Sequence, residues 1–279
     1  MNPITLARTG RTHAERAARG SVTEGAARAG LTARGVIYLI VGILAIRVAF
    51  GDGDRQADRG GALEELAQQR FGAVLLWALG AGLVGMAVWR LSEVVFGAAG
   101  PEGRKARKRL MSAARCVFYG FVAYSVLVFA ASPSDSGSGS SDRQSRDVTA
   151  RALELPGGQW IVGLAGAGIV AAGGWIAVRA VRRTYHDKLK LGSMSRRARQ
   201  LVDVTGVGGG ATRGLVFATA GVFAVRAAVD YQPDRAKGLD DTLRTFAHTP
   251  LGPWLLVCVA VGLVLFGLFS FALARWRKV

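Results

Sequence analysis

The sequence predicts an all-α protein, a six-helix transmembrane bundle made of three tandem two-helix repeats in a pseudo-threefold arrangement. Three observations carry that expectation. Six apolar runs approach or reach the roughly 20 residues that a helix needs to cross a bilayer core about 30 Å thick. The runs fall into three pairs with a shared pattern, and basic residues gather on alternate sides of them.

Each repeat opens with an Arg at the foot of its first run. These runs read ARGVIYLIVGILAIR from Ala33, ARCVFYGFVAYSVLV from Ala114 and TRGLVFATAGVFAVR from Thr212. Each repeat closes with a longer run entered through a Gly. Those read GAVLLWALGAGLVGMAVW from Gly72, GQWIVGLAGAGIVAAGGW from Gly158 and GPWLLVCVAVGLVLFGLF from Gly252. Runs apolar around their whole circumference leave no solvent face, which argues against a soluble helical protein. The expected units are residues 31–98, 112–183 and 210–277, behind a basic tail, residues 1–30, expected to be disordered. A Ser/Gly/Asp-rich stretch over 132–147 reads as a flexible linker. ALEELAQQ from Ala62, DVTARALEL from Asp147 and LDDTLRTFA from Leu239 read as short helical turns at the membrane surface, one before each second run.

Charge sets the expected topology. Of the 36 Lys and Arg residues, 24 lie in the tail through Arg34, in 97–115, in 179–213 and at the C-terminus; 13 of the 19 acids lie in the three other loops. The positive-inside rule then places both termini in the cytoplasm. The strong preference for Arg over Lys, with abundant Ala, Gly and Val, points to a high-GC bacterium and hence to the bacterial plasma membrane. No cleavable signal peptide is expected, because about 30 polar residues precede the first run. The net charge of +17 is confined to segments beside the membrane. It therefore predicts contact with anionic lipid headgroups at the cytoplasmic face rather than with nucleic acid, for which no motif is present. Other membrane proteins are the remaining candidate partners. Cys116 and Cys258 fall at opposite ends of their runs, so no disulfide is expected.

Taken together, ARGVIYLIVG at Ala33–Gly42, GGAL at Gly60–Leu63, FGAVLLW at Phe71–Trp77 and GLVGMAVWR at Gly82–Arg90 resemble a family of bacterial integral membrane proteins, domain of unknown function 1206. The resemblance covers residues 25–279 and is sharpest in the first copy. It implies tandem two-helix membrane units, usually three, and a bacterial membrane. It implies no activity, cofactor or catalytic residue.

Several residues invite a sharper reading. Gly80–Gly85 spells G-x-G-x-x-G, but it lies inside a helical run rather than after a strand, so helix packing explains it better than a nucleotide. Arg90 and Glu93 share a helix face, and Arg34 is expected at the same level; Arg34, Arg90 and Glu93 form the candidate polar cluster. Only the first copy has the acid, the aligned residues being Arg179 and Leu273. Arg34, Arg115 and Arg213 recur at the start of each unit, as a basic ring or as separate lipid anchors. Arg47 and Arg226 align near the outer face, where long side chains can snorkel. His13, His186 and His248 are scattered, and no metal site, cofactor or catalytic dyad is expected from them. The Trp residues fall near the run ends, as an aromatic belt does.

The runs carry no acid or His near the midplane and no mid-span Pro, so a proton relay or an unwound-helix substrate site has no residues to use. The expected function is a non-enzymatic scaffold, assembly or lipid-organising protein. The alternative is a small-solute or anion channel or carrier along the pseudo-threefold axis, with Arg34, Arg115 and Arg213 inside and Arg47 and Arg226 outside.

Overall fold

A computed structural model describes residues 3–50, 57–96, 106–131, 141–247 and 252–277. In chain order its helices are α1 (Pro3–Ala49), α2 (Arg59–Ala67), α3 (Gly72–Phe96), α4 (Ala106–Ala131), α5 (Ser141–Leu153), α6 (Gly158–Val181), α7 (Arg196–Val229), α8 (Leu239–Ala247) and α9 (Gly252–Trp276). Six of these, α1, α3, α4, α6, α7 and α9, contain a stretch long and apolar enough to cross a membrane. Among the described residues there is no strand, only an isolated bridge between Leu189 and Arg277. The chain is a multi-pass helical membrane protein in three two-helix repeats.

Two boundaries differ from the sequence reading. The tail is not an irregular segment, because α1 is helical from Pro3, and its described side chains begin to pack well before residue 31. Ala27 and Leu31 are fully buried, and a Cβ on Gly30 would lie 3.0 Å from the Gly82 carbonyl. The Ala/Gly-rich sequence there lets α1 approach α3 closely. Likewise α7 begins at Arg196, capped by the Ser195 hydroxyl accepting from the Ala198 amide, far ahead of residue 210. Its added turns bury Val202, Thr205 and Gly206. The linker is also shorter than expected, since α5 is helical from Ser141; residues 132–140 lie outside the described residues, as do the 97–105 connection and His248.

The helix partners define a ring with one opening. α1 packs on α3 and α9, α3 on α4, and α7 on α6 and α9. The two spans of repeat 1 touch, as do those of repeat 3, whereas α4 and α6 of repeat 2 scarcely meet. Glycines explain the difference. In repeat 1 a Cβ on Gly82 would lie 3.0 Å from the Ala33 Cβ, and in repeat 3 Gly262 is pressed against Thr212. The aligned glycine of repeat 2, Gly168, has nothing within 4 Å. Four residues before the repeat Arg stand Gly30 and Gly209, both against their own second span, but Met111 in repeat 2. Met111 is instead exposed, and repeat 2 lacks there the small residue that allows close approach in lipid.

At the end opposite the termini, the short helices tie the repeats together. Asp58 caps α2 by accepting from the Gly61 amide at 2.9 Å, and Asp240 of α8 accepts from the Ala57 amide at 2.7 Å. Arg146 of α5 pairs with Asp241, and the Tyr231 hydroxyl donates to the Leu153 carbonyl. Beneath them Leu243 and Phe246 of α8 join Val41, Leu44, Leu256 and Val259 in one buried cluster.

Candidate functional site

The arginines that open the repeats do not form a ring of equals. Because α1 and α7 continue past them, Arg34 and Arg213 lie within the bundle rather than at its rim. Arg34 Nε donates to the buried Ser270 hydroxyl at 3.1 Å, and its Nη2 is buried without a hydrogen-bond partner. Arg213 Nε donates to the Tyr38 hydroxyl at 3.0 Å. Both guanidiniums stack on Phe266, at 5.1 and 4.9 Å from its centroid, and Arg213 also lies 5.1 Å from Phe217. The Tyr119 hydroxyl approaches Arg34 from α4. Among the described residues no carboxylate pairs with either guanidinium. Two like charges around one phenyl ring gain cation–π attraction yet keep a large desolvation cost.

This corrects the expected cluster of Arg34 with Arg90 and Glu93. Arg90 and Glu93 do pair, at 2.7 Å, with both side chains nearly buried. Arg34 is not part of that pair. Ala33 packs opposite Gly82, which sets Arg34 about 12 Å from Arg90 along α3. Ser112 of α4 supplies Glu93 with a second donor at 3.0 Å.

Beside the Arg90–Glu93 pair, the termini-bearing end of the bundle gathers five cations, Arg90 included, that feel one another's charge. Arg90 belongs to α3, Arg115 to α4 and Arg179 to α6; Lys188 lies in the connection before α7, and Arg277 follows α9. Trp89 is sandwiched by charge, with Arg90 at 4.2 Å and Arg277 at 4.5 Å from its ring. Leu189 is buried, and the Lys190 amide donates to the Trp276 carbonyl at 2.9 Å, which pins the connection to the end of α9. Desolvation, then the charges of Arg277, Arg179, Arg115 and Arg90, lower the Lys188 ammonium from 10.5 to about 8. The residue is nonetheless exposed to solvent, which weakens that shift. Burial, then Arg90 and Arg34, lower Arg277 to about 10, against a compensating pull from Glu93. Nε of both Arg90 and Arg277 is buried without a hydrogen-bond partner. Cations outnumber the nearby carboxylates, Glu93 and the Asp187 that precedes Lys188, and that excess suits an anion.

The outer pair is not buried. Arg47 is 3.7 Å from Glu65 of α2 and half-exposed, while Arg226 is exposed. One grouping escaped the sequence reading. His186 Nε2 lies 2.5 Å from Asp203 Oδ1, which also accepts from the Tyr185 hydroxyl at 3.1 Å, with Arg183 at 3.5 Å. Burial, the hydrogen bond to Asp203 and its negative charge raise the Tyr185 hydroxyl. These residues meet only because the chain reverses between α6 and α7. A repeated signal for the aromatic cage was present: Tyr38, Tyr119 and Phe217 each stand four residues after the repeat Arg, one helical turn away.

The fold and this charged, aromatic interior define a helical membrane protein of three duplicated hairpins. The family described as Domain of Unknown Function (DUF1206) matches it three times, over residues 29–97, 110–183 and 208–277, and the chain belongs to that family. It is 28% identical over 243 residues to "Uncharacterized protein YxxB" of Bacillus subtilis (strain 168), covering 87% of each chain. No solved structure matches.

Proposed function

We propose that the protein is a non-enzymatic lipid-organising scaffold of the bacterial plasma membrane, with both termini in the cytoplasm. The observation that carries this reading is the gathering of Arg90, Arg115, Arg179, Lys188 and Arg277 at one end of the bundle, where Glu93 is already paired with Arg90. The lysine and arginine excess of the same end supports its cytoplasmic placement. An inner-leaflet phosphate headgroup seated there would receive charge-assisted hydrogen bonds from three repeats at once, and so hold them together.

The test is the lipid retained by protein purified from bilayers containing phosphatidylglycerol and phosphatidylcholine. Phosphatidylglycerol should be enriched, and Arg115→Ala with Arg179→Ala should remove most of the enrichment, at about 1 kcal/mol per cation. Equal retention of both lipids by the unaltered protein would refute the reading. The axial anion pore draws less support. Arg47 is drawn to Glu65, and Val41, Leu44, Leu256 and Val259 pack between α1 and α9 on the far side of the arginines.

A further inference from the structure

The opening between α4 and α6 leads into a cavity of about 880 Å³, within the range of about 300–1,000 Å³ that small-molecule sites occupy. Phe118 and Phe121 of α4 form one side, Ile161 and Ile169 of α6 the other, and both pairs are exposed toward the surrounding lipid. The cavity extends inward as far as Tyr38 of α1 and Leu263 of α9, with α7 between them. Its floor is Arg213 and its roof includes Lys237 and Arg59. Among the described residues no Asp or Glu lines it.

The charges in this cavity are not equivalent. Lys237 has the Thr245 hydroxyl at 2.8 Å and the Phe223 ring at 4.5 Å. Arg213 stands about 24 Å along α7 from Val229, and one neutral hydroxyl is its only hydrogen-bond acceptor among the described residues. A guanidinium inside the bundle that meets aromatic rings and a single neutral hydroxyl, with no carboxylate among the described residues, calls for an anion. The wall beyond it, from Val216 and Phe217 to Ala220 and Ala224, is apolar. An anion at one end of a long apolar slot that opens sideways into a bilayer describes one chemistry.

We infer that this cavity binds a single-chain anionic amphiphile, which enters between α4 and α6 and sets its carboxylate or phosphate on Arg213 beside Tyr38, with its chain along α7. The site is separate from the headgroup cluster at the termini-bearing end and goes beyond that reading. A span from a second copy would satisfy Arg213 poorly, because Glu24 is held by Arg28, Glu93 by Arg90 and Asp203 by His186 and Tyr185.

The experiment uses the full chain in phosphatidylcholine bilayers, with spin-labelled stearic acid and its methyl ester as probes. The motionally restricted fraction should favour the acid about tenfold, a factor equal to about 1.4 kcal/mol. Arg213→Gln should abolish the preference and Arg213→Lys should keep part of it. Ala220→Trp, which fills the slot without touching a charge, should reduce the binding of both probes. Arg115→Ala with Arg179→Ala should leave this binding unchanged even where it removes phosphatidylglycerol enrichment, so the two readings can fail separately. Dodecyl phosphate should displace the acid and inorganic phosphate should not. Equal restriction of acid and ester by the unaltered protein would overturn the proposal. So would displacement by inorganic phosphate alone, or a dimer that Ala220→Trp dissolves while probe binding persists.

Discussion

In repeats 1 and 3 the two spans meet through small residues, Gly82 on Ala33 and Gly262 on Thr212, while repeat 2 presents the same glycine, Gly168, to open space. The three hairpins share one pattern, yet Met111 occupies the turn where Gly30 and Gly209 let the other first spans close in. The contrast shows how a duplicated bundle acquires a site. A ring of equal hairpins would be sealed, and loosening one pair opens its interior to the membrane. It also exposes to that opening a charge, Arg213, whose depth is set by a different repeat.

The largest expected effect falls on the closed pairs. Gly82→Leu and Gly262→Leu should each lower stability by about 3 kcal/mol or more through overpacking, read as a fall in the thermal unfolding midpoint in detergent. Gly168→Leu should change it by no more than about 0.5 kcal/mol, as an exposed substitution does. An equal loss at all three glycines would erase the distinction between the repeats. Next, Glu93→Gln should cost about 3 kcal/mol, since it leaves the nearly buried Arg90 without its counter-charge. Repeats 2 and 3, with Arg179 and Leu273 at that position, hold no equivalent pair. Arg34→Met should go the other way and raise stability by about 1–3 kcal/mol, because it replaces an unpaired buried charge with apolar volume. Exposed Arg226→Met should be close to neutral in the same assay.

The smallest effect is with pH. The Lys188 ammonium is held at about 8, so the cationic cluster beside Glu93 loses one positive charge as pH rises through that value. Phosphatidylglycerol enrichment should therefore decline from pH 7 to 9, and Lys188→Gln should flatten the profile. Stability follows the opposite sign. Between about 8 and 10.5 the unfolded chain holds a proton that the folded one has released, so folding is favoured as pH rises across that window.

Much of the architecture was legible because a bilayer demands long apolar helices, and triplication repeats the demand. The entry glycines, the short helices before each second span and the Arg90–Glu93 pair all followed from local spacing. The depth of Arg34 and Arg213 did not. Polar-looking stretches such as Gly25–Ala33 and Leu201–Thr212 read as tail and connection by hydropathy, yet their small residues make them helix-packing surfaces. The His186–Asp203 contact was equally hidden, since it depends on a chain reversal with no periodic signal. Met111 was visible throughout; its meaning required knowing what Gly30 and Gly209 touch.

The most direct test is disulfide trapping at three aligned positions, with Cys116 and Cys258 replaced by Ala. The pairs are Ala33→Cys with Gly82→Cys, Ala114→Cys with Gly168→Cys, and Thr212→Cys with Gly262→Cys. Oxidation in the membrane requires Cα atoms within about 7 Å. The first and third pairs should cross-link and the second should stay reduced. Cross-linking of the second pair as readily as the others would mean that repeat 2 is closed, and the lateral opening would not exist.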